Sequence, residues 1–348
     1  MKKIIINGRF LVHRVTGVER YAREILANLD EIIQPGEIEM AMPPEIESIP
    51  EYKNIAFKKV GKLHNRLWEH VTFPLYVMRK KAISLNLCNV APLINPGIAC
   101  LFDVKIKVHP EFFSKTFLIW YNILFSNATR RTKLILTDSE SAKKDLINYY
   151  PYLNPEKVVV IYPSWQHFQR IRFDECTLDK YALEKDNFYF AMGSMEPNKN
   201  FKWIAEVAKK NGDKFFVVAG SINEKVFADG LEFECPQNMK LLGYVSDGEA
   251  KTLMRDCKAF LFPTIYEGFG IPPLEAISAG AREIVVSDTE IMHELFEDTV
   301  NYIDPKDFNL KITNFQSMSE TDAKRILEKY IWEQSAEKLY SLFKEVCL

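Results

Sequence analysis

Short apolar runs punctuate the chain, each followed by polar or glycine-bearing sequence. Ile4-Ile5-Ile6 is the first. Runs at 37–42, 55–60, 83–87, 134–137 and 158–163 follow, then 188–193, 215–220, 239–247, 259–263 and 283–288. They are short and mostly rich in β-branched or aromatic residues, which predicts strands buried on both faces. Between them the pattern changes to helical spacing. After Gly17, residues Val18, Tyr21, Ala22, Ile25, Leu26 and Leu29 fall on one face. Ser139 suits the N-cap of a helix through Leu146. Further helices are expected over 178–183, from Phe201, over 249–255 and from Pro272 to Gly280. A last one covers 319–346, where Ile326, Leu327, Tyr330, Ile331, Leu339 and Phe343 keep an approximate helical period. Strands alternating with helices mean parallel sheets.

A chain of 348 residues is long enough for two domains of ordinary size. The opening strand, a loop with Gly8 and Gly17, and a helix make a Rossmann-like unit. The spacing is not GxGxxG, so the dinucleotide fingerprint is absent and a nicotinamide dehydrogenase is disfavoured. A second strand-and-helix series starts at Phe188, and irregular sequence separates the two. The expected domains are residues 1–165 and 166–330, with residues 331–348 as a closing helix.

The chemistry concentrates at Pro263-Thr264-Ile265-Tyr266-Glu267-Gly268-Phe269-Gly270-Ile271-Pro272-Pro273-Leu274-Glu275, between a strand and a helix. Gly268 and Gly270 let backbone approach a ligand closely. Pro272 and Pro273 suit a first helical turn and Gly280 a helix stop. N–H groups at such a turn favour a phosphate, and two carboxylates beside them suit sugar hydroxyls. A glutamate in a first turn is also favoured by the helix dipole alone, so Glu275 has a purely structural explanation as well. Carboxyl-edge geometry in a parallel sheet would gather this loop with Lys199, in the turn after the run at 188–193.

The string EGFGIPPLEAISAG resembles the Glu-x7-Glu signature of retaining glycosyltransferases with the GT-B fold, notably glycosyltransferase family 4. The likeness extends along nearly the whole chain. Ser194-Met195-Glu196-Pro197-Asn198-Lys199-Asn200 resembles that family's GxxEPRKN segment, and Phe102-Asp103 with His109-Pro110-Glu111 resembles its cleft segment HDLxxxxHPExFS. Phe102, Asn198 and Ser194 depart from the usual residues. The resemblance implies an α/β protein of two Rossmann-like parallel-sheet domains facing a central cleft, with the last helix returning to the first domain. It implies a nucleotide-diphosphate sugar donor, a glycan acceptor that is lipid-linked, no cofactor and no metal. Glu267 with the Gly268-Phe269-Gly270 backbone would hold the donor sugar, Glu275 the ribose hydroxyls, and Lys199 and Gly17 the diphosphate. Glu267, Lys199 and His109 form the catalytic set. Gly243-Tyr244-Val245 resembles a segment whose backbone meets the nucleobase.

A net charge of −2 gives no case for nucleic-acid binding. The six cysteines form no CxxC pair, which speaks against zinc and for reduced thiols in the cytoplasm. No run approaches the ~20 apolar residues of a membrane span. Residues 58–81 mix cations with Leu, Trp, Phe, Tyr and Met, a composition suited to peripheral contact with the inner face of an anionic membrane. An ordinary amphipathic helix explains them too, and Pro74 is expected to interrupt any long one. Two other functional readings stay open at this point: a nucleotide-sugar epimerase, and a non-catalytic scaffold on the same fold.

Overall fold

The run Ile4-Ile5-Ile6 becomes β1 (Ile4–Asn7), buried along its whole length. A computed structural model describes residues 2–220 and 235–347 of the chain. It divides into an N-terminal unit, residues 1–163 with 331–348, and a C-terminal unit, residues 164–330.

In the N-terminal unit β1 lies in a seven-stranded sheet with every pairing parallel. Its order is β3 (Ala56–Lys59), β2 (Ile38–Met42), β1, β4 (Ile83–Asn86), β5 (Ile98–Cys100), β6 (Leu134–Thr137) and β7 (Val158–Val160). Succession along the sheet reverses between β1 and β4, the place where such sheets open a crevice at their carboxyl ends. The predicted helix after the first loop is α1 (Gly17–Ile32), which buries Tyr21, Ala22, Ile25, Leu26 and Leu29. The C-terminal helix, Trp332–Val346, adds Trp332, Ala336, Leu339 and Phe343 to the same core. The Ser335 hydroxyl donates to the Tyr162 carbonyl at 2.6 Å, and Trp332 meets Tyr21 edge-on at 5.6 Å.

Two expectations change here. Pro74 does not end the helical run from residue 65. The chain passes from α2 (Asn65–Leu67) through a π turn, Trp68–Thr72, into α3 (Phe73–Arg79). The wider turn, closed by Phe73 N–H to the Trp68 carbonyl, gives room where the proline ring would crowd the preceding turn. After the short α4 (Lys105–Val108), a long helix that the apolar pattern did not predict, α5 (Lys115–Arg131), starts at the Ser114 cap. Its apolar residues point both inward, at Leu124 and Phe125, and outward, at Ile119 and Ile123, which hides the period. The Ser139 cap behaves as predicted and starts α6 (Glu140–Tyr149), its hydroxyl accepting from Ala142 N–H at 2.9 Å.

The C-terminal unit repeats the plan with six parallel strands. The order is β10 (Met239–Gly243), β9 (Phe216–Ala219), β8 (Tyr189–Met192), β11 (Ala259–Phe262), β12 (Ile284–Ser287) and β13 (Asn301–Ile303). The reversal falls between β8 and β11. Its helices are α7 (Thr177–Tyr181), α8 (Phe201–Lys210), α9 (Asp247–Asp256), α10 (Ile271–Ala279), α11 (Glu290–Phe296) and α12 (Glu320–Lys329). The single helix expected over 319–346 is two, broken at Tyr330, which leaves the helical region, and at Ile331, which is extended. The helical spacing continues across the break, but the partners do not. Tyr330 packs edge-on against Phe269 of the C-terminal unit, and Trp332 against Tyr21 of the N-terminal one.

The start of α9 is a capping box, with Ser246 and Glu249 satisfying each other's backbone N–H groups. Burial opposes ionisation of Glu249, but the Lys180 ammonium, the Ser246 N–H and hydroxyl, and the Tyr181 hydroxyl outweigh it and hold the carboxyl down at about 2. The folded value lies below the ordinary 4.5, so the carboxylate stabilises the fold above pH 4.5, and that contribution is lost as pH falls towards 2. Glu249→Gln should therefore lower unfolding free energy by about 1 kcal/mol at pH 7. Urea melts at a series of pH values should show the gap to wild type closing below pH 4.5.

Candidate donor site at the β8 and β11 edge

Two turns leave the carboxyl ends of β8 and β11 and are tied together. The turn Pro197–Lys199 ends at Asn200, whose left-handed backbone (φ 56°) starts α8. Asn200 donates to the Pro263 carbonyl at 3.0 Å and to the Pro305 carbonyl at 2.9 Å. The Asn198 carbonyl accepts from Ile265 N–H at 2.8 Å, and the Asn198 amide donates to the Tyr266 carbonyl at 3.2 Å and to Glu267 at 3.4 Å. Asn198 is buried. Where the resemblance expects an arginine, this chain has a strut that orients Glu267.

The outcome is an ion pair between Lys199 Nζ and Glu267 Oε1 at 2.7 Å, with the two side chains 18% and 14% exposed. The ammonium also lies over the Phe262 ring, 5.5 Å from its centre. Gly270, at φ 108°, is the N-cap of α10. A Cβ there would come within 2.8 Å of the Met292 methyl and 3.3 Å of Phe262, so both conformation and space require glycine. Phe269 is buried beside Tyr330, and Gly280 closes α10 in the left-handed region.

Glu275 is the fifth residue of α10, so it stands in the second turn and not the first. The helix dipole, strongest in the first turn, does not explain it. Its partner is His167, whose Nε2 lies 2.8 Å from Glu275 Oε1. No sequence motif marked His167. The only signal was a histidine in irregular sequence between the two strand-and-helix series. Ser194, the other departure on this edge, directs its hydroxyl to Glu196 at 3.2 Å.

In the N-terminal unit, Gly17 begins α1, and a Cβ on it would meet nothing within 4 Å. His109 stacks on Phe112 at 4.8 Å and holds Glu111 through Nδ1 at 2.9 Å. Phe102 is a core residue against Tyr21 and makes no polar substitute for the expected histidine. A pocket of about 310 Å³ at the ends of β1 and β4 is lined by Asn7, Arg9, Glu69, His70, Trp120 and Tyr121 among others. Glu69 accepts from Asn7 at 3.0 Å and from Arg9 at 2.8 Å. Burial pushes its carboxyl above the ordinary range, against the pull of Arg9 and Asn7. His70, its Nδ1 buried and unpartnered, is held below its ordinary value by burial and by Arg9 and Arg66. These residues escaped the motif reading. The clue was polar Asn7 at the end of an otherwise apolar strand.

The profile of the family described as Glycosyl transferases group 1 matches residues 177–330. Over those residues the chain is similar to that family. The chain is similar to the O-antigen chain mannosyltransferase RfbU of Salmonella typhimurium, 27% identical over 62% of this chain and 59% of that protein. The shared region thus spans about three fifths of that relative's length. Similarity to the O-antigen chain mannosyltransferase B of Escherichia coli is 21% identity across 98% of this chain and 99% of the relative. Among solved structures, Anabaena Alr3699/HepE in complex with UDP superposes with a TM-score of 0.66, at 12% identity, over 99% of this chain and all of that one. The two parallel-sheet units are those of the GT-B fold. The region that matches the family holds Lys199, Glu267 and Glu275, while His167 lies just ahead of it. Among the described residues no group of three or more His, Cys, Asp and Glu side chains is arranged to hold a metal ion, and all six cysteines are free.

Proposed function

We propose that the protein is a retaining hexosyltransferase that moves a sugar from a nucleotide-diphosphate donor to a glycan acceptor during polysaccharide synthesis in the cytoplasm. The Lys199–Glu267 pair carries this reading. Two charges with little exposure cannot be separated unless each receives a new partner. Inorganic phosphate offers strong acceptors to the lysine but lacks the set of hydroxyls with which a sugar would satisfy the carboxylate. A sugar diphosphate offers both, phosphate oxygens to the ammonium and sugar hydroxyls to the carboxylate. The names of the Salmonella and Escherichia relatives support a hexose and a polysaccharide, and the UDP held by the Anabaena protein supports a nucleotide donor.

In the proposed reaction the acceptor hydroxyl attacks the anomeric carbon on the face from which the diphosphate departs. The bond from that carbon to the diphosphate oxygen breaks, and the departing oxygen takes the hydroxyl proton. Lys199 neutralises the charge growing on the diphosphate, a contribution typical of groups worth factors of ~10²–10³ in rate. Glu267 and the backbone of Gly268, Phe269 and Gly270 hold the sugar, and Glu275 the ribose. The resemblance adds Gly17 for the diphosphate and His109 to the catalytic set. The N-terminal pocket supports an acceptor sugar, since Trp120 and Tyr121 give aromatic faces beside the Asn7, Arg9 and Glu69 hydrogen-bonding groups. A complete Lys199 and Glu267 pair, despite Asn198 and Ser194, weighs against a non-catalytic scaffold.

A lipid-linked acceptor fits the surface of the same unit. Leu67, Val71, Leu75 and Met78 stand exposed along residues 65–79, and Ile119 and Ile123 on α5. Lys58, Lys59, Lys62, Arg79, Lys80 and Lys81 flank the first group in sequence. Among the described residues no helix is long and apolar enough to cross a membrane, so the contact proposed is peripheral.

Lys199→Ala should cut turnover by about 10²–10³ in protein that still folds but melts below wild type, since Glu267 loses its partner, and unchanged turnover would remove Lys199 from the mechanism. On vesicles containing anionic lipid, sedimentation should carry the protein down at low salt and release it at high salt, and the double variant Leu67→Glu, Leu75→Glu should stay in solution. Failure of wild type to pellet at any salt concentration would end the membrane reading.

A further inference from the structure

We infer that His167 is a positioning residue for donor binding: it locks one oxygen of Glu275 so that the other is presented to the ribose hydroxyls of the nucleotide. This rests on the reading of Glu275 as the ribose-binding carboxylate.

His167 belongs to a 3-10 turn, Gln166–Arg170, just before the region that matches the family. Its ring is 2% exposed. Nε2 faces Glu275 Oε1 at 2.8 Å, so Nε2 must be the donor. Nδ1 is then left buried with no hydrogen-bond partner. An unmet polar atom in the interior is costly, and an apolar residue would fill the same space without that penalty. What the histidine adds is a fixed carboxylate. A lone glutamate on a helix can turn among several rotamers, whereas one oxygen held at 2.8 Å leaves the second with a set direction. Glu275 Oε2 has no hydrogen bond among the described residues, and the side chain keeps 10% of its surface exposed.

The turn that carries His167 is itself held. Lys251, on α9, buries its ammonium against the carbonyls of Phe168 at 2.7 Å and Ile171 at 2.8 Å. It also lies 4.9 Å from the centre of the Phe173 ring. A chain of contacts therefore runs from Lys251 through the turn and His167 to Glu275. The histidine touches no donor atom in this scheme. It acts only through the carboxylate.

Equilibrium binding to the full-length protein tests this, with UDP and GDP each compared with its 2′,3′-dideoxy analogue. Wild type should prefer the ribose form of the nucleotide it binds by about tenfold or more, the range of a hydrogen bond to a charged group. His167→Phe should lose most of that preference while binding the dideoxy form as wild type does. His167→Gln, whose amide nitrogen can still donate, should keep it. Equal weakening of both forms by His167→Phe would show a merely structural role and overturn the proposal. So would an intact preference in His167→Phe when Glu275→Gln abolishes it, and that result would leave the reading of Glu275 standing. If wild type binds neither nucleotide, or binds ribose and dideoxy forms alike, the reading of Glu275 fails and the role of His167 falls with it. Should His167→Phe not fold, His167→Gln against the shorter His167→Asn carries the same test, with Asn expected to lose the preference and equality of the two overturning the proposal.

Discussion

The Lys199–Glu267 ion pair is the interaction on which the proposed donor edge depends. It joins the turn after β8 to the loop after β11, the two strands at which the sheet reverses. Parallel strands bring those turns to one edge. Asn198 and Asn200 then pin them with hydrogen bonds to the backbone of the opposite loop. The two charges satisfy each other at 2.7 Å, so neither needs bulk water. A ligand that replaces both partners at once can enter at low electrostatic cost, whereas one that replaces a single partner strands a charge.

The same logic of fixing one group with another recurs across the C-terminal unit. Lys251 holds the turn that carries His167, and His167 holds Glu275. The capping box of Ser246 and Glu249 secures the helix on which Lys251 stands. The N-terminal unit uses a comparable arrangement in its own pocket, where Asn7 and Arg9 restrain Glu69. In both units polar side chains at the carboxyl ends of apolar strands are oriented by neighbours before any ligand arrives, which lowers the ordering cost of binding.

Much of this was legible in the sequence because strands buried on both faces read as continuous apolar runs. The run at 259–263 and the glycine-rich loop after it were read as one edge with the turn of Lys199, and the two turns do meet there through the Lys199–Glu267 pair. Three-residue strands such as β5 and β13 gave too little pattern to be read as strands. The long α5 has exposed isoleucines that blur its helical period. The break at Tyr330 was hidden for a different reason. Periodicity reports a helix face, and it cannot report that the residues before and after a break pack into different cores. His167 and Asn198 were illegible as positioning residues because their roles exist only through contacts 108 and 69 residues away in sequence.

The measurement that bears most directly on the donor site is a metal-free thermal shift of the purified protein with UDP, GDP, dTDP and CMP. A ligand that binds only the native state must raise the melting temperature. The account predicts that one of the nucleoside diphosphates does so, and that the shift collapses in Lys199→Ala. No shift with any of them at millimolar concentration, or an equal shift in Lys199→Ala, would contradict the assignment of the Lys199–Glu267 edge as the place where a sugar diphosphate binds.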